Sequence, residues 1–277
     1  MNSDQHLHPI SPSFLEATVL KEKQLGLVAG FTTRHGGFSE APYHSMNMGL
    51  HVGDADETVI RNRRKLADET GFPLSSWVVA EQVHGSVIKK VSAVDVGSGT
   101  TQLDTAIAGT DGIYTRDKDI LLTSLYADCV PLFFVAPSHQ TIGLAHAGWK
   151  GTVGLIGPKM IQTWQNQEQI SSNDIFVLIG PSISGDEYEV NDVVIESVNS
   201  CITDSMEKPY TSKANGRFNL DLKQLNKSLL IEAGVPKENI YTSSICTLLD
   251  KRMFSHRGDG GKTGRMMSIL GQRSFEV

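Results

Sequence analysis

The sequence predicts a layered α/β fold with a mixed sheet, built as one domain. Two patterns lead there. Short apolar runs of strand length mix with helical stretches, yet several strands follow one another directly, which departs from a strict βαβ repeat. The 277 residues also contain no obvious linker and no internal repeat, so a division into two domains has no seam to follow. A chain near this length buries about 75% of its unfolded surface, enough for a core without staples.

The elements follow in order. Residues 1–12 are polar, include His6 and His8, and read as a solvated tail; 1–24 form a tail and lead-in, and the domain runs over 25–277. No apolar stretch with basic flanks marks a signal peptide there. Residues 26–33 read as a strand. Residues 54–70 read as a helix: Asp54 or Asp56 caps it, Val59, Leu66 and Ala67 form its apolar stripe, and Gly71 with Pro73 ends it. Short strands at 77–80 and 87–91 flank Glu81-Gln82-Val83-His84, and 94–110 is a loop rich in Gly, Ser and Thr. Three apolar strands follow at 120–126, 131–136 and 141–146. A helix is expected over 151–165, a buried strand at 175–179, and helices over 190–202 and 221–233. Residues 240–242 form a strand, and 253–265 form a loop carrying Arg257, Asp259 and Arg265 among glycines.

Composition narrows the function. Lys plus Arg is 25 against 31 Asp plus Glu, giving a net charge of −6. That balance argues against broad nucleic-acid or membrane-surface binding and leaves room for a local basic pocket for one small anion. Hydrophobic residues at 39% exclude a disordered polymer. Three cysteines are too few, and odd, for a secreted disulfide framework, which points to a reducing cytoplasm. No apolar run reaches membrane-spanning length.

Three soft or borderline ligands stand at strand ends: His84 in EQVHG, Cys129 in YADCVP and His146 in GLAHAGWKG. Their spacing is not that of a zinc finger. Side chains at strand-to-loop junctions nevertheless converge on one edge of a sheet, where open α/β folds bind ligands. Two imidazoles and a thiolate complete the shell of a catalytic Zn²⁺ and leave its fourth position open. Asp128, next to Cys129, is placed to orient a ligand or carry a proton. Asp111 most simply makes a turn with Gly112.

A second cluster suits an anion or a nucleoside. Arg34 stands beside Gly36 and Gly37, which let a ligand approach the backbone while Arg forks onto phosphate. Ser45 and Asn47 can hydrogen-bond a sugar or a base edge. Arg61, Arg63 and Arg64 read as a solvated helix face. Gly148, Gly151, Gly154 and Gly157 either offer N–H groups to phosphate or allow close helix-to-sheet packing.

The segments GFTTRHGGFSEAPYHSMNMGLHVGD, EQVHG, ADCVPLFF, GLAHAGWKGT, IGPSIS and FSHRGDGGKTGRM resemble the YfiH/YlmD family, from about Leu25 to the C-terminus. That family is also called multicopper polyphenol oxidase or laccase-like, and more recently purine nucleoside phosphorylase. The resemblance implies an α+β-like, single-domain three-layer sandwich with mixed β-sheets. It implies one zinc on His84, Cys129 and His146. It implies phosphorolysis of adenosine, guanosine, inosine and S-methyl-5′-thioadenosine, with hydrolytic deamination of adenosine. Arg34 matches the family's catalytic or phosphate-binding arginine, and His256 stands where many relatives carry Tyr. Catalysis is therefore expected from Arg34, Asp128 and Cys129, and substrate binding from Ser45, Asn47, Arg257 and Arg265. The expected partners are purine nucleosides and phosphate, not nucleic acid or membrane, and the expected state is a monomer or weak homodimer.

Other readings stay open. A His₂Cys set also suits Cu²⁺, so a laccase-like polyphenol oxidase is the alternative. A four-copper centre draws on many His-x-His pairs; this chain has nine histidines and one such pair, His6-Leu7-His8. A cysteine hydrolase with Cys129 as nucleophile and His146 as base is a third reading. A non-catalytic role is a fourth.

Overall fold

In the computed structural model, which describes residues 4–274, two six-stranded mixed sheets lie face to face. The first runs His8–Pro9, Phe14–Glu16, Leu27–Thr32, Met266–Gln272, Leu121–Tyr126, Trp77–Val79; all its pairs are antiparallel except the last. The second runs Ile240–Thr242, Phe176–Ile179, Val130–Ala136, Thr141–Ala147, Gly112–Thr115, Ile88–Lys90, with parallel pairs at both edges. A small sheet of Glu189–Val190, Phe218–Leu220 and Tyr210–Ser212 stands apart.

Alternation along each strand sorts the residues into layers. Leu122 and Tyr126 from the first sheet meet Phe133, Ile142 and Leu144 from the second in the central core. Leu121 and Leu125 point the other way, onto Leu66 and Ala67 of helix Asp56–Thr70. Leu132 and Phe134 face helices Ile156–Glu168 and Leu222–Glu232 through Met160, Trp164, Leu225 and Leu229. The layered, mixed-sheet α/β fold of one domain is thus present, with helices on both outer faces.

Most expected elements are found, and the differences have physical causes. From residue 4 onward the N-terminal segment is not a solvated tail; residues 1–3 of the expected tail lie outside the described residues. Leu7, Leu15, Ala17 and Leu20 belong to the central core, and His8–Pro9 and Phe14–Glu16 extend the first sheet. Asp4 anchors the segment: its buried carboxylate accepts the N–H groups of His6, Leu7 and Ser244 and the hydroxyls of Ser243 and Ser244. The helix over 56–70 starts after Ala55 without a side-chain cap, because Asp54 turns instead to the N–H of Ala55 and the amide of Asn47. Gly71 ends it in the left-handed region, φ 66°. The helix expected over 151–165 is two, Trp149–Val153 and Ile156–Glu168, broken where Leu155 turns left-handed. Residues 190–202 begin as the strand Glu189–Val190 and turn helical at Asp192–Asn199, where the Asn191 side chain caps the N–H of Val194. Met266–Gln272, for which no strand was expected, is central to the first sheet. Among the described residues no helix is long and apolar enough to cross a membrane.

Replacing Asp4 with Ala leaves several buried donors unpaired. It is expected to lower unfolding free energy by about 2–3 kcal/mol, read from the urea midpoint at constant m-value.

Candidate metal centre

The two large sheets exchange chain at one rim, and the ligands sit where it crosses. Trp77–Val79 leaves the first sheet, passes His84, and returns as Ile88–Lys90 of the second. Leu121–Tyr126 leaves the first sheet and enters the second at Val130, immediately after Cys129. His146 lies on the neighbouring strand, paired with Pro131. The ligand atoms of His84, Cys129 and His146 all lie within 4.8 Å of one another, and the two imidazoles meet edge to face at 4.9 Å.

One carboxylate aligns two of the three ligands. Asp111 accepts the N–H groups of Val83 (3.2 Å), His84 (3.0 Å) and Gly85 (2.7 Å), which hold the turn bearing His84. It also accepts His146 Nδ1–H at 2.9 Å. A carboxylate that only accepts forces the proton onto Nδ1 and leaves Nε2 as the free lone pair. The Asp111 carbonyl takes the N–H of His146 as well, at 2.8 Å. Burial works against the Asp111 charge, yet the His146 ring and the backbone N–H groups overcome it and hold its pKa below the usual range. Asp111 is thus a positioning carboxylate rather than a simple turn residue.

The backbone bends sharply at the ligands. His84 has φ 60° and Asp128, beside Cys129, has φ 83°. Such left-handed non-glycine residues concentrate at functional sites. Gly148 leaves the centre its space: a Cβ there would lie 3.1 Å from Cys129 Sγ and 3.2 Å from His84 Cδ2. A Cβ at Gly151 would lie 2.9 Å from the Gly85 carbonyl, and one at Gly157 3.3 Å from Leu230. Close packing therefore accounts for these glycines.

The electrostatics suit a set of metal ligands. Burial pushes the Cys129 thiol up, but the facing His146 charge and hydrogen bonds from both imidazoles lower it well below an ordinary thiol. Burial likewise opposes a charged His146, and the thiolate with Asp111 raises its pKa nonetheless. Two imidazoles and a thiolate, the second imidazole fixed through Nδ1, fit one thiophilic divalent ion.

The ligands open into a cavity of about 510 Å³, within the span typical of small-molecule pockets. Leu50, Val79, Ala80, Leu103 and Leu125 are among its apolar lining, and His51, Glu81, Gln82, His256 and Arg265 supply polar groups.

The family model described as "Multi-copper polyphenol oxidoreductase laccase" matches residues 28–273. The chain belongs to this family, the YfiH/YlmD proteins. It is 47% identical over 249 residues to purine nucleoside phosphorylase YlmD of Geobacillus stearothermophilus, covering 90% of this chain and 91% of that one. It is 45% identical to the protein of the same name from Bacillus subtilis, covering 89% of each chain. The crystal structure of YlmD from G. stearothermophilus superposes with a TM-score of 0.95 at 44% identity, covering 98% of this chain and 100% of that one.

In this YfiH/YlmD member, the structure brings together the three expected metal ligands and Arg265, and it places the other expected site residues outside the cavity lining. The Arg34 guanidinium stacks 4.6 Å from the Phe254 ring, donates to the His44 and Met253 carbonyls, and faces Asp259 at 3.8 Å. Ser45 bonds the Arg34 carbonyl and the Gly37 N–H. Asn47 is buried between Gly49, Asp54 and the Arg265 N–H. The Asp128 oxygens accept the hydroxyls of Thr247 and Ser255 and the N–H of Arg257, so Asp128 clamps the 254–259 loop instead of standing free beside the ligands. Arg257 spreads over Tyr188 and donates to the Glu189 carbonyl.

Arg63 is a correction. It is no part of a solvated face: it is buried and donates to the carbonyls of Met48, Gly99 and Thr100. Burial lowers its pKa to about 10. His51, Glu81 and Asp111 join the site without being expected there from the sequence. Lone residues without ligand spacing gave no signal for them, although an apolar-flanked His between two glycines, as in GLHVG, was a usable hint.

Asp111→Asn places an amide N–H against backbone N–H donors. Metal affinity is expected to fall 10–100-fold by competition with a chelating dye. Gly148→Ala is expected to lower metal occupancy while far-UV circular dichroism stays unchanged. At neutral pH the raised His146 holds a proton that an entering metal displaces. Calorimetry in buffers of different ionisation enthalpy should therefore record proton release, and apparent affinity should rise with pH.

Proposed function

We propose that this protein is a zinc-dependent purine nucleoside phosphorylase. Its substrates would be adenosine, guanosine, inosine and S-methyl-5′-thioadenosine, and the same site would deaminate adenosine hydrolytically. The observation that carries this reading is the convergence of His84, Cys129 and His146 on the floor of a nucleoside-sized cavity. The naming of relatives at 47% and 45% identity as purine nucleoside phosphorylases supports it.

His84, Cys129 and His146 would hold the zinc, which supplies a Lewis acid with one open position. The rest falls to the chain. Leu50, Val79, Leu103 and Leu125 bury the flat face of the base and exclude water. Arg265 is the cation for phosphate: its Nη1 is tied to the Thr263 and Gly264 carbonyls, and its other donors have no acceptor among the described residues. Glu81 takes the N–H of Gly109 on Oε2, which leaves Oε1 for a donor of the nucleoside. Arg34, Ser45, Asn47, Asp128 and Arg257 act by bracing the loops around the cavity. In phosphorolysis a phosphate oxygen attacks C1′ as the purine departs, and a fixed cation beside it in a dry site stabilises the developing charge by several kcal/mol.

Polyphenol oxidation, the reaction that the family's description as a polyphenol oxidoreductase denotes, has less support. Among the described residues one group of His, Cys, Asp and Glu converges as a metal site, where a multicopper centre needs several. The protein is proposed to work in the cytoplasm on small molecules, as a monomer or weak homodimer.

Purified protein should release ribose 1-phosphate from inosine only when phosphate is present, and should convert adenosine to inosine. Neither product under either condition overturns the proposal. Metal analysis after expression without added copper should return about one zinc per chain, as a single three-ligand site requires. Cys129→Ser should lose both metal and turnover; retained metal with lost turnover would favour the cysteine as nucleophile.

A further inference from the structure

Breaking the C1′–N9 bond leaves its electron pair on the purine, and the five-membered ring shares that charge with N7. A donor aimed at N7 therefore stabilises the departing base. Few donors on the cavity wall are free for it. The Arg63 guanidinium is spent on three carbonyls. The Gln82 amide is closed on both sides by the backbone of Leu125. Glu81 only accepts, and Arg265 faces phosphate in the reading above. His256 is exposed as His51 is, but its ring packs over Gly261, where a Cβ would lie 3.5 Å from its Cε1.

His51 remains, and the chain around it is held from every side. Arg63 donates twice to the Met48 carbonyl, Asn47 bonds both the N–H and the carbonyl of Gly49, and Tyr43 donates to the Val52 carbonyl at 2.7 Å. The same Asn47 takes the N–H of Arg265, so the two side chains are set beside each other. They pack so closely over Gly49 that a Cβ there would lie 3.3 Å from His51 Cε1 and 3.0 Å from Arg265 Cγ. The His51 side chain is exposed where it lines the cavity, and its ring makes no hydrogen bond to any described residue. A segment this firmly braced that presents an unpartnered imidazole to a cavity is built for a ligand.

We infer that His51 is a further catalytic residue, whose ring N–H donates a hydrogen bond to N7 of the departing purine. This rests on the phosphorolysis reading. A neutral imidazole carries one donor and one acceptor, and desolvation along the wall together with Arg265 and Arg63 keeps His51 neutral. The balance is simple. The C1′–N9 bond breaks, a phosphate oxygen bonds to C1′, and the proton of hydrogenphosphate ends on the released base. His51 keeps its own proton throughout.

The test compares guanosine with 7-methylguanosine, whose N7 is blocked and whose base leaves as a neutral molecule without a donor. His51→Ala should lower kcat on guanosine about 100-fold, the usual effect of losing one such donor. It should change kcat on 7-methylguanosine less than about threefold. His51→Gln, which restores an N–H, should recover part of the loss on guanosine alone. Metal content and melting temperature, measured on each variant, should match the unaltered protein. Equal losses on both substrates, or full activity of His51→Ala on guanosine, would overturn the role of His51 and leave phosphorolysis standing. Absence of phosphate-dependent guanosine turnover in the unaltered protein would remove both.

Discussion

The site depends on the buried carboxylate of Asp111. A carboxylate out of water is tolerable only when its oxygens are filled with donors. Here the donors are the turn that carries one ligand and the ring of another. The need to satisfy the charge and the need to aim the ligands are met by the same bonds. A hydrophobic residue in its place would leave three N–H groups of the 83–85 turn without acceptors and the His146 ring free to rotate.

The second constraint is topological. Two sheets packed face to face must pass the chain between them somewhere, and here two of those passages lie at the same rim. Crossing residues belong to neither ladder, so their side chains are free to face each other. His84 and Cys129 come from such crossings, and Gly148 leaves them room by having no side chain. Distance along the sequence is therefore no guide to distance at the centre.

Much of this was legible in the sequence. The apolar runs around Leu122, Phe133 and Leu144 are strands, and Gly71 ends its helix, because burial and the left-handed turn each impose a local signature. The three ligands were legible as soft donors at strand ends. What escaped has long-range causes. Residues 266–272 interleave Ser, Gly and Gln with apolar residues, and only their place between two other strands makes them central. Asp4 and Arg63 look like surface charges until partners far along the chain surround them. Arg34, Ser45 and Asn47 have the chemistry of substrate binders, and the fold also ties them to their surroundings: Arg34 to two carbonyls and Asp259, Ser45 to Arg34 and Gly37, Asn47 to Gly49, Asp54 and Arg265. His51 shows the reverse: its importance lies in bonds it does not make.

The placement of Met266–Gln272 between Leu27–Thr32 and Leu121–Tyr126 has a consequence for biogenesis. On the ribosome the partners on either side emerge early and wait, with their ladder edges open, for a strand made much later. The second sheet draws its strands from residues 88–242 and can close first. Nascent chains paused before residue 266 would therefore expose unpaired edges and the apolar face meant for the central core, the conditions under which chaperones engage and misassembly begins.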